Sequence, residues 1–156
     1  MKKDVSLKIK SSQYAEKLKP SGEAFRRELE LEDSMEIRTE GTLYDKDGIV
    51  FITYEESKEA GLENMKTLLK YNGTSLKIHR YSKDDNDDMD MTLQKGILNI
   101  TRYKIPQVGS IDLEIYTNDL AAELDEEGYG RITVDYKISF DQFFSRRTIL
   151  EIEISQ

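Results

Sequence analysis

The sequence predicts an all-β protein, an antiparallel up-and-down β-barrel of about eight to ten strands. Three observations lead to this fold class. Apolar residues recur at every second position through most of the 156-residue chain, turn-forming residues separate these runs, and no long amphipathic helix is present. Alternation of this kind puts the apolar side chains of a strand on one face of a sheet. Because no helix is available to cover that face, the sheet must close on itself or pack against a second sheet, and short hairpins favour closure.

The alternating runs predict the strands in chain order. They cover residues 4–10, 28–44, 49–56, 68–71, 76–81, 111–115, 131–140 and 150–154. Glycine and asparagine between the runs predict hairpin turns at residues 45–48, 71–74 and 125–130, because these turns need positive φ angles. Gly41 lies within a run of inward-facing residues, where we expect a point of sharp bending.

Two segments carry helix signals instead. Residues 14–27 contain two short stretches that could each form a helical turn or two, but the Pro20-Ser21-Gly22 segment divides them. We therefore expect a loop or crossover there. Residues 118–124 begin with Asn118, a capping residue, and contain Ala121-Ala122, so they predict one helical turn.

Length and cysteine content limit the architecture further. A chain of this length without a linker-like segment is expected to form a single domain over residues 1–156. The absence of cysteine excludes disulfides, thiol catalysis and cysteine-based zinc sites.

The charge balance restricts the partners. Lys and Arg number 23 against 31 Asp and Glu, a formal net charge of −8. A phosphate-binding surface needs a basic patch, so we expect neither nucleic acid nor an anionic membrane as a partner. The longest apolar run, residues 49–52, is too short to span a membrane, and the N-terminus lacks the unbroken apolar stretch of a signal peptide. We expect a cytoplasmic protein, whose oligomeric state the sequence leaves unknown.

The order of several short motifs resembles a known family. The segment 39–44, then Gly48 and segment 52–56, is similar to the YwiB-like proteins of low-GC Gram-positive bacteria. The motifs that follow in the same order are Thr67-Leu68-Leu69-Lys70, Ile78-His79-Arg80, Gly96, Tyr103 with Pro106 and Gly109, and Ile115-Tyr116-Thr117. The chain departs from the family pattern around Ile105-Pro106 and at Tyr81-Ser82. The resemblance implies a calycin-like barrel, the architecture of lipocalins and fatty-acid-binding proteins, and it implies no catalytic residues.

Candidate ligand-binding residues follow from the strand phase. Leu76, Ile78 and Arg80 share one face of their strand, which directs the Arg80 guanidinium into the interior, where an unpaired charge is costly. Arg102 has the same phase as two apolar neighbours and is predicted to point inward as well. A guanidinium in the lumen can bind a carboxylate or phosphate through two hydrogen bonds. The tyrosines expected to donate hydroxyl groups beside it are Tyr54, Tyr103 and Tyr136.

Arg80 also has a structural interpretation. It could form an internal salt bridge with an acid such as Glu40 or Glu55, or lie at the barrel mouth and reach solvent. Two functions therefore remain open. The first is a non-catalytic binder of a small apolar or anionic ligand in the lumen. The alternative is a protein-interaction or regulatory module with a filled barrel and an acidic outer surface. An enzyme is not expected.

The remaining motifs predict no cofactor and no metal. His79 has the phase opposite to Ile78 and should point outward, which argues against a haem ligand or a catalytic triad. The acidic run 84–90 begins like a calcium-binding loop, but Met89 and Lys95 occupy the positions that need glycine and glutamate. We expect a solvated loop there.

Overall fold

The computed structural model describes residues 2–56, 65–82, 89–105, 109–139 and 145–156, apart from the side chains of residues 16–19, 27, 82 and 103–105. The predicted all-β fold class is confirmed: every regular element in these ranges is a strand. The strands are β1 (Lys2–Ser21), β2 (Ala24–Lys46), β3 (Ile49–Glu55), β4 (Met65–Tyr71), β5 (Ser75–Ser82), β6 (Met89–Gln94), β7 (Leu98–Ile105), β8 (Gly109–Leu124), β9 (Gly130–Ser139) and β10 (Ser145–Ser155). In the described ranges no helix has the length and apolarity needed to cross a bilayer.

The strands form one antiparallel sheet of ten strands in the order β6-β5-β4-β3-β2-β1-β10-β9-β8-β7. Each strand pairs with its neighbour in sequence except at β6–β7, and β1 also pairs with β10. The two end strands, β6 and β7, come together, so the sheet wraps into a nearly closed barrel. The predicted up-and-down barrel of eight to ten strands is therefore confirmed.

The seam between β6 and β7 is closed by side chains that bond to the backbone of the facing strand. Asn99 Nδ2 donates to the carbonyl oxygen of Thr92 at 3.0 Å, and Thr101 Oγ1 donates to that of Asp90 at 2.7 Å. At one end of the seam the Gly96 N–H donates to the Thr117 carbonyl at 2.8 Å. Polar side chains of β7 thus satisfy carbonyl groups of β6 that have no ladder partner there.

The interior is packed with apolar side chains at one end of the barrel. The connections β2–β3, β4–β5, β6–β7 and β8–β9 all lie at this end, which we call the packed end. The side chains nearest to it are buried in the lumen: Leu43, Leu76, Leu93, Ile132 and Ile154. The opposite end, where β3 and β9 end and β4 and β10 begin, is called the open end.

The three predicted hairpin turns are present at the packed end. Asp47 and Gly48 adopt consecutive positive φ angles of 54° and 78° between β2 and β3. At the β4–β5 turn, Asn72 Oδ1 accepts the backbone N–H groups of Thr74 and Ser75 at 2.9 and 2.8 Å. A side-chain oxygen that satisfies turn N–H groups in this way explains why asparagine is found there.

Gly41 lies at the last residue pair between β2 and β3, opposite Tyr54. Its φ angle is not positive, so the need for glycine is steric. A Cβ atom would stand 2.6 Å from the Thr53 carbonyl oxygen and 2.7 Å from Leu7 Cδ1, closer than van der Waals contact allows. The glycine therefore permits a close approach between β2, β3 and the Leu7 side chain on β1.

The two helix-like segments are strands, so both predictions were wrong. β1 continues to Ser21 and β2 begins at Ala24, with Gly22 at a φ of 65° in the turn between them. A bulge lies at Gln13/Tyr14, and from Ala15 onward β1 pairs only with β2 among the described residues. Residues 118–124 belong to β8 and pair with β9 after a register shift at Thr117/Asp119. In both segments ladder hydrogen bonding outweighs a weak helical preference.

Candidate functional site

A cavity of about 400 Å³ occupies the interior toward the open end of the barrel. Its wall has an apolar part and a polar part. The apolar part consists of side chains from seven strands, among them Ile9, Ile37, Leu69, Ile78, Met91, Ile138 and Leu150. The polar part includes Ser11, Tyr54, Glu56, Arg80, Tyr136 and Thr148. A single molecule in the cavity would therefore contact both an apolar surface and a cluster of hydrogen-bonding groups.

The strand register brings part of the polar cluster together. Tyr54 of β3 pairs with Thr67 of β4, Thr67 pairs with Arg80 of β5, and Arg80 pairs with Met89 of β6. Directly paired residues project to the same face of a sheet. Arg80 lines the cavity and has the phase of the buried residues Leu76 and Ile78, so its predicted inward orientation is confirmed.

Arg80 lies next to an acid that the sequence analysis did not choose. Its Nε atom is 3.6 Å from Glu56 Oε1, and the Glu56 side chain is only 3% exposed. The predicted partners Glu40 and Glu55 are both exposed. Glu56 has the phase of Ile52 and Tyr54, and its backbone N–H is fixed to the Met65 carbonyl at 2.9 Å, which keeps it in line with the inner face of β3.

The ion pair leaves one guanidinium atom of Arg80, Nε, without a hydrogen bond to any described residue. The 3.6 Å separation from Glu56 exceeds hydrogen-bonding distance, and Arg80 Nε is buried with no acceptor among the described residues. The same carboxylate oxygen, Glu56 Oε1, accepts instead from Thr67 Oγ1 at 2.6 Å. Glu56 therefore offsets the charge of Arg80 while its hydrogen bonds go to Thr67 and Tyr54.

Two buried tyrosines complete the cluster. Burial raises the pKa of Tyr54, and the nearby Glu56 carboxylate raises it further, while Arg80 and a hydrogen bond with Thr67 act in the opposite direction. Burial also raises the pKa of Tyr136, with Arg80 and a hydrogen bond from Thr148 opposing the shift. Both phenols stay protonated at neutral pH, and Arg80 lies within electrostatic range of both.

The predicted inward orientation of Arg102 was wrong. Its side chain is 73% exposed and pairs with Asp112 across the outer face at 3.4 Å. In β7 the inner positions belong to Thr101 and Asn99, which bond to β6 at the seam, so Leu98 and Ile100 are exposed together with Arg102. β7 keeps the alternation, but its inner face is polar and its outer face is apolar, because the inner residues bond to β6 where the barrel closes. The Tyr103 side chain lies outside the described residues.

Two further predictions concern residues away from the cavity. His79 points outward as predicted, and its Nδ1 atom pairs with Asp90 on the outer face. The acidic run falls mostly on residues 83–88, which lie outside the described residues. Within the described ranges, no group of three or more histidine, aspartate or glutamate side chains is placed to hold a metal ion.

The polar residues of the cluster that sequence reasoning missed are Ser11, Glu56, Thr67 and Thr148. Strand alternation could have indicated all of them. Glu56 continues the alternation of Ile52 and Tyr54. The other three have the phase of apolar neighbours: Ser11 of Ile9, Thr67 of Leu69 and Thr148 of Leu150.

Comparison with known proteins places this architecture in a family. The pattern of a domain of unknown function, DUF1934, matches residues 23–152. The chain belongs to the DUF1934 family. The crystal structure of the ywiB protein from Bacillus subtilis is similar to this DUF1934 protein, with a TM-score of 0.64 and 22% sequence identity over 98% of this chain and 94% of that chain. The resemblance to YwiB-like proteins is thus confirmed, and at this identity the likeness concerns the fold alone. No curated protein matches the chain.

Proposed function

We propose that this DUF1934 protein is a cytoplasmic, non-catalytic binder of a small, mainly apolar ligand in the cavity at the open end. One observation carries the proposal: a cavity of about 400 Å³ in which an apolar wall faces the same space as the Arg80 guanidinium, whose Nε has no hydrogen-bond acceptor among the described residues. This volume falls within the range of roughly 300–1,000 Å³ that is typical of small-molecule sites.

The apolar wall would supply most of the affinity. It presents branched aliphatic and methionine side chains around the cavity, including Ile9, Ile37, Ile78, Met91 and Leu150. Covering such a surface with an apolar ligand gains roughly 25 cal/mol for each Å² removed from water. Methionine adapts its shape to different ligands, which favours a wall that tolerates some variation in the occupant.

The polar cluster would fix the orientation of the ligand. Arg80, Tyr54 and Tyr136 lie on one side of the cavity and offer donors to a polar group. Because burial keeps both phenols protonated, they act as hydrogen-bond donors at neutral pH. A few fixed donors in an otherwise apolar site are what give small-molecule pockets their specificity.

The alternative of an interaction module has weaker support. It required a filled barrel with Arg80 paired to an acid. Arg80 does lie near Glu56, and the packed end is filled, but the cavity leaves the interior of the open end available for a ligand. In the described part of the chain the ion pair also lacks a hydrogen bond at Arg80 Nε, which a purely structural bridge would be expected to have.

A fluorescent probe tests the proposal directly. The neutral dye 1-aminoanthracene, whose emission rises in apolar surroundings, should bind at one saturable site. Ser11 of β1 lines the cavity, so Ser11→Phe should fill it and reduce dye affinity by about tenfold or more. Ser6→Phe places the same side chain at an exposed position of the same strand and should leave dye binding unchanged.

Native mass spectrometry of the protein purified from its own host gives a second readout. A co-purifying small molecule that is lost in Ser11→Phe but kept in Ser6→Phe would support the proposal. Absence of saturable dye binding to the wild-type protein would refute it. Equal dye binding to the two variants would place any binding outside this cavity.

A further inference from the structure

We infer that the polar group of the ligand is a neutral carbonyl, best of all a carboxamide, and that Glu56 determines this preference. The inference rests on the proposed function, because it names the chemical class that the same cavity accepts. The sequence left open whether the ligand is apolar or anionic. This inference narrows it to a mainly apolar molecule whose polar group carries no charge. The inference rests on the ion pair between Arg80 and Glu56, in which Arg80 Nε is buried and has no hydrogen-bond acceptor among the described residues.

The charges on the cavity wall already balance. Glu56 lies 3.6 Å from Arg80 Nε with a side chain that is 3% exposed, so the two opposite charges largely cancel. The only other charged side chain in the described lining is Arg146. It pairs with Glu32 at 3.4 Å and donates to Gln13 Oε1 at 3.0 Å. A ligand therefore meets a wall without a net charge to neutralise.

Arg80 itself has few hydrogen-bond partners. A guanidinium carries five N–H donors. The Nε donor is buried and has no acceptor among the described residues, while the side chain as a whole is 34% exposed and lines the cavity. The nearest acceptor, Glu56 Oε1, lies 3.6 Å from Nε and accepts from Thr67 at 2.6 Å. A carbonyl oxygen bound at the accessible part of the guanidinium would give Arg80 an acceptor without adding charge.

A carboxylate would satisfy the same donors at an electrostatic cost. Bound at Arg80, it would lie within a few ångströms of the Glu56 carboxylate and leave the buried cluster with an excess negative charge. Like charges at such a distance repel strongly where water is mostly excluded. A carboxamide avoids this repulsion, and its N–H group is a donor that Glu56 can accept. An ammonium group would be repelled by Arg80.

Three probes with the same alkyl chain test the preference: octanamide, octanoate and octylammonium. Isothermal titration of the wild-type protein should rank octanamide first, with octanoate weaker by about tenfold, as expected for like charges in a partly buried site. Octylammonium should bind no better than octanoate. This ranking needs no variant, so it decides the inference even where a substitution disturbs folding.

Variants at two positions assign the effect to its cause. Glu56→Gln removes the negative charge and should raise octanoate affinity by about tenfold, while octanamide affinity changes by less than about threefold. Glu55→Gln removes the same charge from the exposed neighbouring residue and should leave both affinities unchanged. Arg80→Gln should weaken octanamide by about tenfold, because its carbonyl loses a charged donor.

The outcomes separate this inference from the proposed function. Octanoate binding to the wild type at least as tightly as octanamide would overturn the carbonyl preference and leave the binding function intact. If folded Glu56→Gln has the same ratio of octanoate affinity to octanamide affinity as the wild type, the role assigned to Glu56 is wrong. If neither the three probes nor 1-aminoanthracene bind the wild type, the proposed function fails and the inference fails with it.

Discussion

Arg80 Nε and Glu56 Oε1 lie 3.6 Å apart in the cavity wall, close enough to attract and too far apart for a hydrogen bond. Thr67 donates to the same carboxylate oxygen at 2.6 Å and thereby holds Glu56 away from closer contact with the guanidinium. The arrangement separates charge compensation, which Glu56 provides, from hydrogen bonding to the guanidinium, which the proposed ligand would provide.

Thr67→Val should destabilise the protein, because a buried carboxylate loses a donor that valine cannot replace. Removing a hydrogen bond to a buried charged group costs about 1–3 kcal/mol. The free energy of unfolding from urea titration measures this cost. Thr133→Val on β9 is the control, since that threonine is only half-buried, and its effect should stay within about 0.5 kcal/mol. Equal losses in both variants would contradict the importance assigned to Thr67.

Gly41→Ala should be strongly unfavourable although it adds only a methyl group. The new Cβ atom would stand 2.6 Å from the Thr53 carbonyl oxygen and 2.7 Å from Leu7 Cδ1. Forcing such contacts apart costs typically about 1–3 kcal/mol. Thermal and urea unfolding should both show the loss, whereas Glu40→Ala at the exposed neighbouring position should behave like the wild type. If Gly41→Ala is as stable as the wild type, the sheet can shift at this point to accommodate the added methyl group.

The two buried tyrosines should make the protein sensitive to alkaline pH. In the unfolded chain a tyrosine loses its proton near its ordinary pKa of 10.0, whereas burial raises the pKa of Tyr54 and Tyr136 in the folded protein. The folded state then holds more protons, so stability is complete below pH 10 and falls as the pH rises further, by up to about 1.4 kcal/mol per pH unit for each tyrosine.

Urea unfolding at several pH values between neutrality and pH 11 would measure this slope. Tyr54→Phe and Tyr136→Phe should each flatten it, and the exposed Tyr116→Phe should not. A slope that is the same in all three variants would assign the alkaline loss to other groups.

Thr101→Val should loosen the barrel seam. The threonine hydroxyl is one of two described side-chain donors that join β7 to carbonyl groups of β6. Losing it costs about 1 kcal/mol locally, which raises amide hydrogen exchange in β6 and β7 by about fivefold. Arg102→Ala removes the exposed neighbour and should leave exchange unchanged. Faster exchange spread evenly over all strands would indicate global rather than local weakening.

The sequence predicts the strands and the position of Arg80 because both follow from a local rule. Alternation needs only neighbouring residues, and the strand of Ile78 and Arg80 obeys it. The turn at Asp47-Gly48 is likewise encoded by residues that tolerate positive φ. Features of this kind require no knowledge of which strands meet.

The errors arise where distant segments decide the outcome. Residues 14–27 have weak helical preferences, but pairing between β1 and β2 supplies the ladder that makes them strands. Arg102 has the same phase as two apolar neighbours, as alternation predicts. Closure against β6 nevertheless places this face of β7 outside the barrel. Strand phase marks Glu56 as inward-facing, but its backbone hydrogen bond to Met65 on the neighbouring strand is what holds it in that phase beyond the end of β3.

The long hairpin of β1 and β2 has a consequence for how copies of the molecule meet. Along residues 24–40 the edge of β2 that faces away from β1 has no adjacent strand within the described ranges. Such an edge can act as a template for another chain. Six acidic residues against three arginines occupy this stretch, so two copies repel one another there. Salt weakens that protection, because the screening length shrinks from about 10 Å at 0.1 M to about 3 Å at 1 M.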